Sequence, residues 1–133
     1  MAERPTTSWR RGIAEEAQEL ADGTLDPECA CVAVLYPEEL LVATDVLLDA
    51  FEGELHGLGE ASDEQVFAVV KSVVLALNAA NDADNGGTFE TDEREALCDY
   101  IDESLTEHGV DVVALTARHG LGPYQLTNKW RKW

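Results

Sequence analysis

The sequence predicts an all-α protein, a single-domain bundle of about four to six helices over residues 1–133, and three observations carry that prediction. Four capping signals, at Ser8, Pro37, Ser62 and Thr91, each precede an apolar stripe that recurs at three and four residues. A chain of 133 residues with 45% hydrophobic side chains is long and apolar enough for one packed core without disulfide or metal staples. Neither an internal repeat nor a low-complexity linker divides it.

Taken in order, Ser8 caps a helix over Trp9 to Asp22, with Ile13, Ala17, Leu20 and Ala21 on its buried face and Gly23 as the stop. Asp26-Pro27 then offers a cap and a first-turn proline. Residues 27–36 stay undecided, because Cys29 to Tyr36 is apolar on both faces and fits a short helical piece, an irregular segment or a buried strand. Pro37 opens a helix whose wide stripe, Leu40, Leu41, Val46, Leu47, Leu48, Phe51 and Leu55, runs to Gly57 and Gly59. Ser62-Asp63-Glu64-Gln65 is a capping box, and the helix it launches, from Val66 to about Asn81, is apolar on nearly all sides and belongs in the middle of the bundle. Thr91 caps the next helix, with Asp92, Glu93 and Glu95 suiting its positive end and Leu97, Tyr100, Ile101 and Leu105 buried before His108-Gly109. Asp111 caps a last short helix through Arg118, which Gly120 stops.

Charge is the most unusual property. The 27 acids against 9 Lys and Arg give a net −18, and the bases gather at the two ends: Arg4, Arg10 and Arg11 in one, Lys129, Arg131 and Lys132 in the other. An acidic body repels phosphate backbones and anionic headgroups, so nucleic acid and membrane surfaces are disfavoured as partners. A basic protein partner fits the charge, and so does adaptation to a salty cytoplasm, where acids serve solubility alone. Cys29, Cys31 and Cys98 are odd in number and follow no signal-peptide pattern, which suits a reduced cytoplasmic setting. A zinc site begun by Cys29-x-Cys31 would need Cys98 with His56, His108 or His119, at no recognised spacing.

One loop has the outline of calcium chemistry. Counted from Asp82, the run to Glu93 puts Asp82 and Asp84 at positions 1 and 3, Gly87 at 6, Thr88 at 7 and Glu93 at 12, as in an EF-hand. Gly86 supplies no side-chain ligand at position 5, Asn78 and Asn81 replace the usual aromatics of the entering helix, and no partner loop exists elsewhere in the sequence. The cap and first turn at Thr91 account for the same acids, so no cofactor is expected, with calcium as the alternative. Catalysis has less support still: the three histidines fall at helix ends or in loops, no nucleophile-elbow or phosphate-loop pattern occurs, and Cys98 sits on a helix where burial should leave it inert.

The stretch Leu77-Asn78, the run Phe89-Glu90-Thr91-Asp92-Glu93-Arg94-Glu95-Ala96-Leu97-Cys98-Asp99-Tyr100-Ile101 and the ending Trp130-Arg131-Lys132-Trp133 resemble small uncharacterised bacterial helical proteins. Those join an apolar helix to a Glu-Thr-Asp-x-Arg-Glu helix start and close on Trp-Arg-x-Trp. The resemblance covers residues 66–105 and the last four, departs at Lys132 where an acid is expected, and implies an immunity-like or accessory role with no named activity. The expectation is therefore a non-enzymatic protein acting by protein–protein contact, immunity- or adaptor-like. Trp130, Arg131 and Trp133 either dock on the bundle or meet a partner, and an exposed remainder of the Leu40 to Leu55 stripe would serve a homodimer.

Overall fold

The computed structural model describes residues 3–29, 36–60, 62–83, 89, 91–122 and 125–133. Among them run five α-helices and no strand: α1 (Pro5–Asp22), α2 (Glu38–Leu58), α3 (Asp63–Ala83), α4 (Thr91–Glu107) and α5 (Val112–Arg118). The undecided segment begins as a 3-10 turn, Pro27–Cys29, in which the Glu28 N–H donates to Asp26 Oδ1 at 3.0 Å. Its residues 30–35 lie outside the described residues.

The helix boundaries follow the local chemistry, with two corrections. α1 starts three residues before Ser8: Pro5 occupies the first turn, where its missing N–H costs nothing and its fixed φ is already helical, so Ser8 is an interior residue and not a cap. Thr91 is itself the first residue of α4. The capping box at α3 closes reciprocally, the Ser62 N–H donating to Gln65 Oε1 at 2.9 Å and the Gln65 N–H to Ser62 Oγ at 3.3 Å. Asp111 accepts the Ala114 N–H at 3.0 Å to start α5. At the ends of α1 and α4, Gly23 and Gly109 take φ of 74° and 87°, and the next N–H reaches back to Glu19 and Leu105.

α2 and α3, joined by a short connection, pack most closely and carry the core with α4. Leu41, Leu48, Phe51 and Leu55 of α2 meet Val70, Val73, Val74 and Leu77 of α3 and Leu97, Ile101 and Leu105 of α4. The stripe on α2 is narrower than its sequence suggests, since Val42 and Val46 are 49% and 61% exposed. α3 likewise keeps one open face, with Leu75 exposed beside Lys71 and Ala79. α3 is long and apolar enough to cross a membrane by length and composition only, and its Val66 to Asn81 stripe is buried in this bundle.

α1 docks by a face the sequence does not advertise. Ala17, Leu20 and Ala21 are exposed and Ile13 is half-buried, while Trp9 and Glu16 are buried. Trp9 decides the geometry: it stacks on Tyr36 at 5.1 Å with rings 3° apart and leans on Phe89 at 6.1 Å. Area buried by one indole outweighs that of two alanines, so the helix rolls toward the aromatics. Electrostatics fixes the roll. Arg10 pairs with Glu38 and Asp45 at 3.0 Å each, Arg4 pairs with Asp49 and Glu52, and Thr6 Oγ1 donates to Asp45 at 2.5 Å. The acids of α2 that face α1 are thus neutralised from within the chain.

Candidate functional site

The C-terminal tail lies on the bundle and organises the region where the sequence places its candidate residues. Leu126 and Thr127 are buried, and Trp130 and Trp133 pack against the core. The two rings do not share one patch. Trp130 meets Phe67 at 6.3 Å, whereas Trp133 meets Phe89 at 5.8 Å and so extends the row Tyr36, Trp9, Phe89. Between them Asn78 holds the main chain from both sides: its Nδ2 donates to the Trp130 carbonyl at 2.8 Å and its Oδ1 accepts the Lys132 N–H at 3.0 Å. Arg131 donates to Cys98 Sγ at 3.0 Å and to Thr127 Oγ1 at 3.3 Å, with its guanidinium 5.5 Å from the Trp133 ring centre. Cys98 is half-buried and lines an open cavity with Arg94, Glu95, Asp99 and Arg131, so burial does not seal it as the sequence suggests.

A cavity of about 470 Å³ opens beside the tail, lined by Glu64, Phe67, His119, Leu121, Leu126, Lys129 and Trp130. Its walls are mostly apolar and aromatic, with one carboxylate and one ammonium at the margin, a lining suited to an apolar group carrying a polar end. Next to it the end of α5 is clamped on the start of α3. Arg118 donates to both oxygens of Asp63, at 3.0 and 2.8 Å, and His119 Nε2 lies 3.1 Å from Asp63 Oδ2. Hydrogen bonding to Arg118, then to His119, lowers the Asp63 pKa to about 2. The His119 ring stands edge-on to Phe67 at 4.7 Å. This His–Asp contact has the parts of a general-base pair, but Arg118 already holds the carboxylate bidentately.

The calcium pattern is only partly described. Asp82 is exposed in the last turn of α3, and Glu93 is buried in the first turn of α4, where its Oε1 accepts the Tyr36 hydroxyl at 2.9 Å. Burial, then that hydrogen bond to Glu93, raises the Tyr36 pKa well above the usual phenol range. Asp84 and Thr88 lie outside the described residues. Among the described residues no three His, Cys, Asp or Glu side chains gather as a metal site. Asn81 Oδ1 accepts the Phe89 N–H at 3.1 Å.

α4 carries a row of acids. Asp92, Glu95, Asp99, Asp102 and Glu103 recur at three and four along its outer side, and none forms an ion pair among the described residues. Burial, together with Asp99 and Glu103, pushes the Asp102 carboxyl up to about 6. Asn78, Asn81 and Arg4 escape a search for chemistry-bearing motifs. The asparagines had one visible signal, polar amides on the buried stripe of an apolar helix, and Arg4 had none beyond its charge. Compared with known proteins, the chain matches no family model, no curated protein and no solved structure.

Proposed function

We propose that this chain is a non-enzymatic binding protein, adaptor- or immunity-like, whose α4 ridge receives a basic protein partner. The observation that carries the reading is the contrast between two acidic faces. On α2 the acids are satisfied in cis by Arg4 and Arg10. On α4 the ridge Asp92, Glu95, Asp99, Asp102 and Glu103 forms no ion pair among the described residues, and burial, with Asp99 and Glu103 beside it, pushes the Asp102 carboxyl up to about 6. A bare ridge of this kind concentrates negative potential, which orients and speeds encounter with a cationic surface. Lysine or arginine side chains of a partner would remove the crowding that the chain itself leaves in place. The remaining expectations, a reduced cytoplasmic setting and no resident cofactor, accompany this reading.

The test is affinity capture from the native host with the wild-type chain and with a ridge variant, Glu95→Gln, Asp99→Asn and Glu103→Gln together. The wild type should retain a basic protein at low salt and release it as salt rises, and the variant should retain little. A partner that is held equally by the variant, or that survives high salt unchanged, refutes the ridge as the docking face.

A further inference from the structure

We propose that His56 and His108 form a two-histidine chelate for a borderline divalent cation of the zinc, nickel or copper type, which staples the C-terminal ends of α2 and α4. His56 lies in the last turn of α2 and His108 follows the last residue of α4 directly, so two helices distant in sequence bring their imidazoles together. The ring centres are 4.9 Å apart with planes at 76°. With metal–nitrogen bonds of about 2.0–2.1 Å, two imidazoles about 100° apart on one ion place their ring centres about 5 Å apart. The pair therefore has the spacing of a chelate before any ion arrives.

The tautomer is set as well. His108 Nδ1 lies 2.8 Å from the Ser104 carbonyl oxygen, which can only accept, so Nδ1 carries the proton and donates. In the neutral ring Nε2 then presents its lone pair, as metal-ligating histidines do when a backbone carbonyl holds the other nitrogen. Charge favours the same outcome, because the negative ends of two helix dipoles converge where the cation would sit. The ligand class follows from the donors: imidazole suits zinc, nickel and copper, whereas calcium and magnesium want oxygen. With two ligands from the chain, water completes the coordination sphere, so binding is labile.

The experiment compares thermal melting of the full chain in excess zinc with melting in EDTA, and repeats it with calcium. Zinc at about ten times its dissociation constant should raise the melting temperature by about 2–6 °C. Calcium should not, and both His56→Ala and His108→Ala should abolish the difference. The zinc-minus-EDTA difference separates metal binding from any damage to folding, and if His108→Ala fails to fold, the exposed His56→Ala decides alone. Imidazole proton resonances assign the site: those of His56 and His108 should move with zinc while those of His119 stay. A zinc shift retained in either variant, or histidine resonances that do not respond, overturns the proposal.

Discussion

Replacing Asp102 by asparagine should make the protein more stable at neutral pH. The carboxyl is half-buried beside Asp99 and Glu103, and its pKa rises from 3.8 to about 6. In that interval the folded state holds a proton that the unfolded chain has released. Stability from this residue is therefore full below the unfolded value and falls as pH rises through about 6. Two pH units correspond to about 3 kcal/mol, and partial exposure to solvent reduces that to about 1–2 kcal/mol. Asparagine keeps the shape and removes the charge, so the variant should gain that amount above pH 7 and little at pH 4. Urea unfolding of both proteins from pH 4 to pH 8 measures the difference, with the other titrating groups cancelling between them. A variant no more stable than wild type at pH 7, or a difference that does not grow with pH, would refute the account of Asp102 as a carboxylate destabilised by burial and by its acidic neighbours.

The remaining expectations concern the tail and the α3–α5 clamp. Asn78→Leu leaves the Trp130 carbonyl and the Lys132 N–H without their partner and should cost about 1–3 kcal/mol in urea unfolding, against near-neutrality if water satisfies both groups. Deleting residues 129–133 should cost about 2–4 kcal/mol through lost contact of Trp130 and Trp133, less than full burial of two indoles because a chain end costs entropy to order. Coincident unfolding midpoints together with loss of partner binding would instead mark the tryptophans as an interaction site. By carboxyl NMR, Asp63 should titrate near 2, its ionised form being lost as pH falls through that value, and Arg118→Gln should move the midpoint toward the ordinary aspartate value.

Where local chemistry decides an element, the sequence is explicit. Ser62 and Gln65 need only each other to close their box, Asp111 needs only the turn it caps, and the glycines after α1 and α4 need only a positive φ. What stays illegible depends on partners far along the chain. The roll of α1 is set by Tyr36 and Phe89 meeting Trp9, and by α2 acids meeting Arg4 and Arg10, so the stripe at Ile13 to Ala21 misleads. The same reason hides the site. His56 and His108 are separated by two whole helices and two connections, and Asn78 looks like a flaw in an apolar face until the tail is seen lying across it.

Asn78 recognises backbone and nothing else. Its amide meets one carbonyl and the N–H two residues on, the pattern by which a neighbouring strand would pair, so the side chains of Arg131 and Lys132 are irrelevant to that grip. Register and affinity are consequently separable in this tail. The amide fixes which residue lies opposite α3, and the indoles on either side set how firmly it stays. Substitution at Lys132 can retune charge without touching that grip, with proline the exception because it has no N–H to give, whereas a change at Arg131 also gives up its bonds to Cys98 and Thr127.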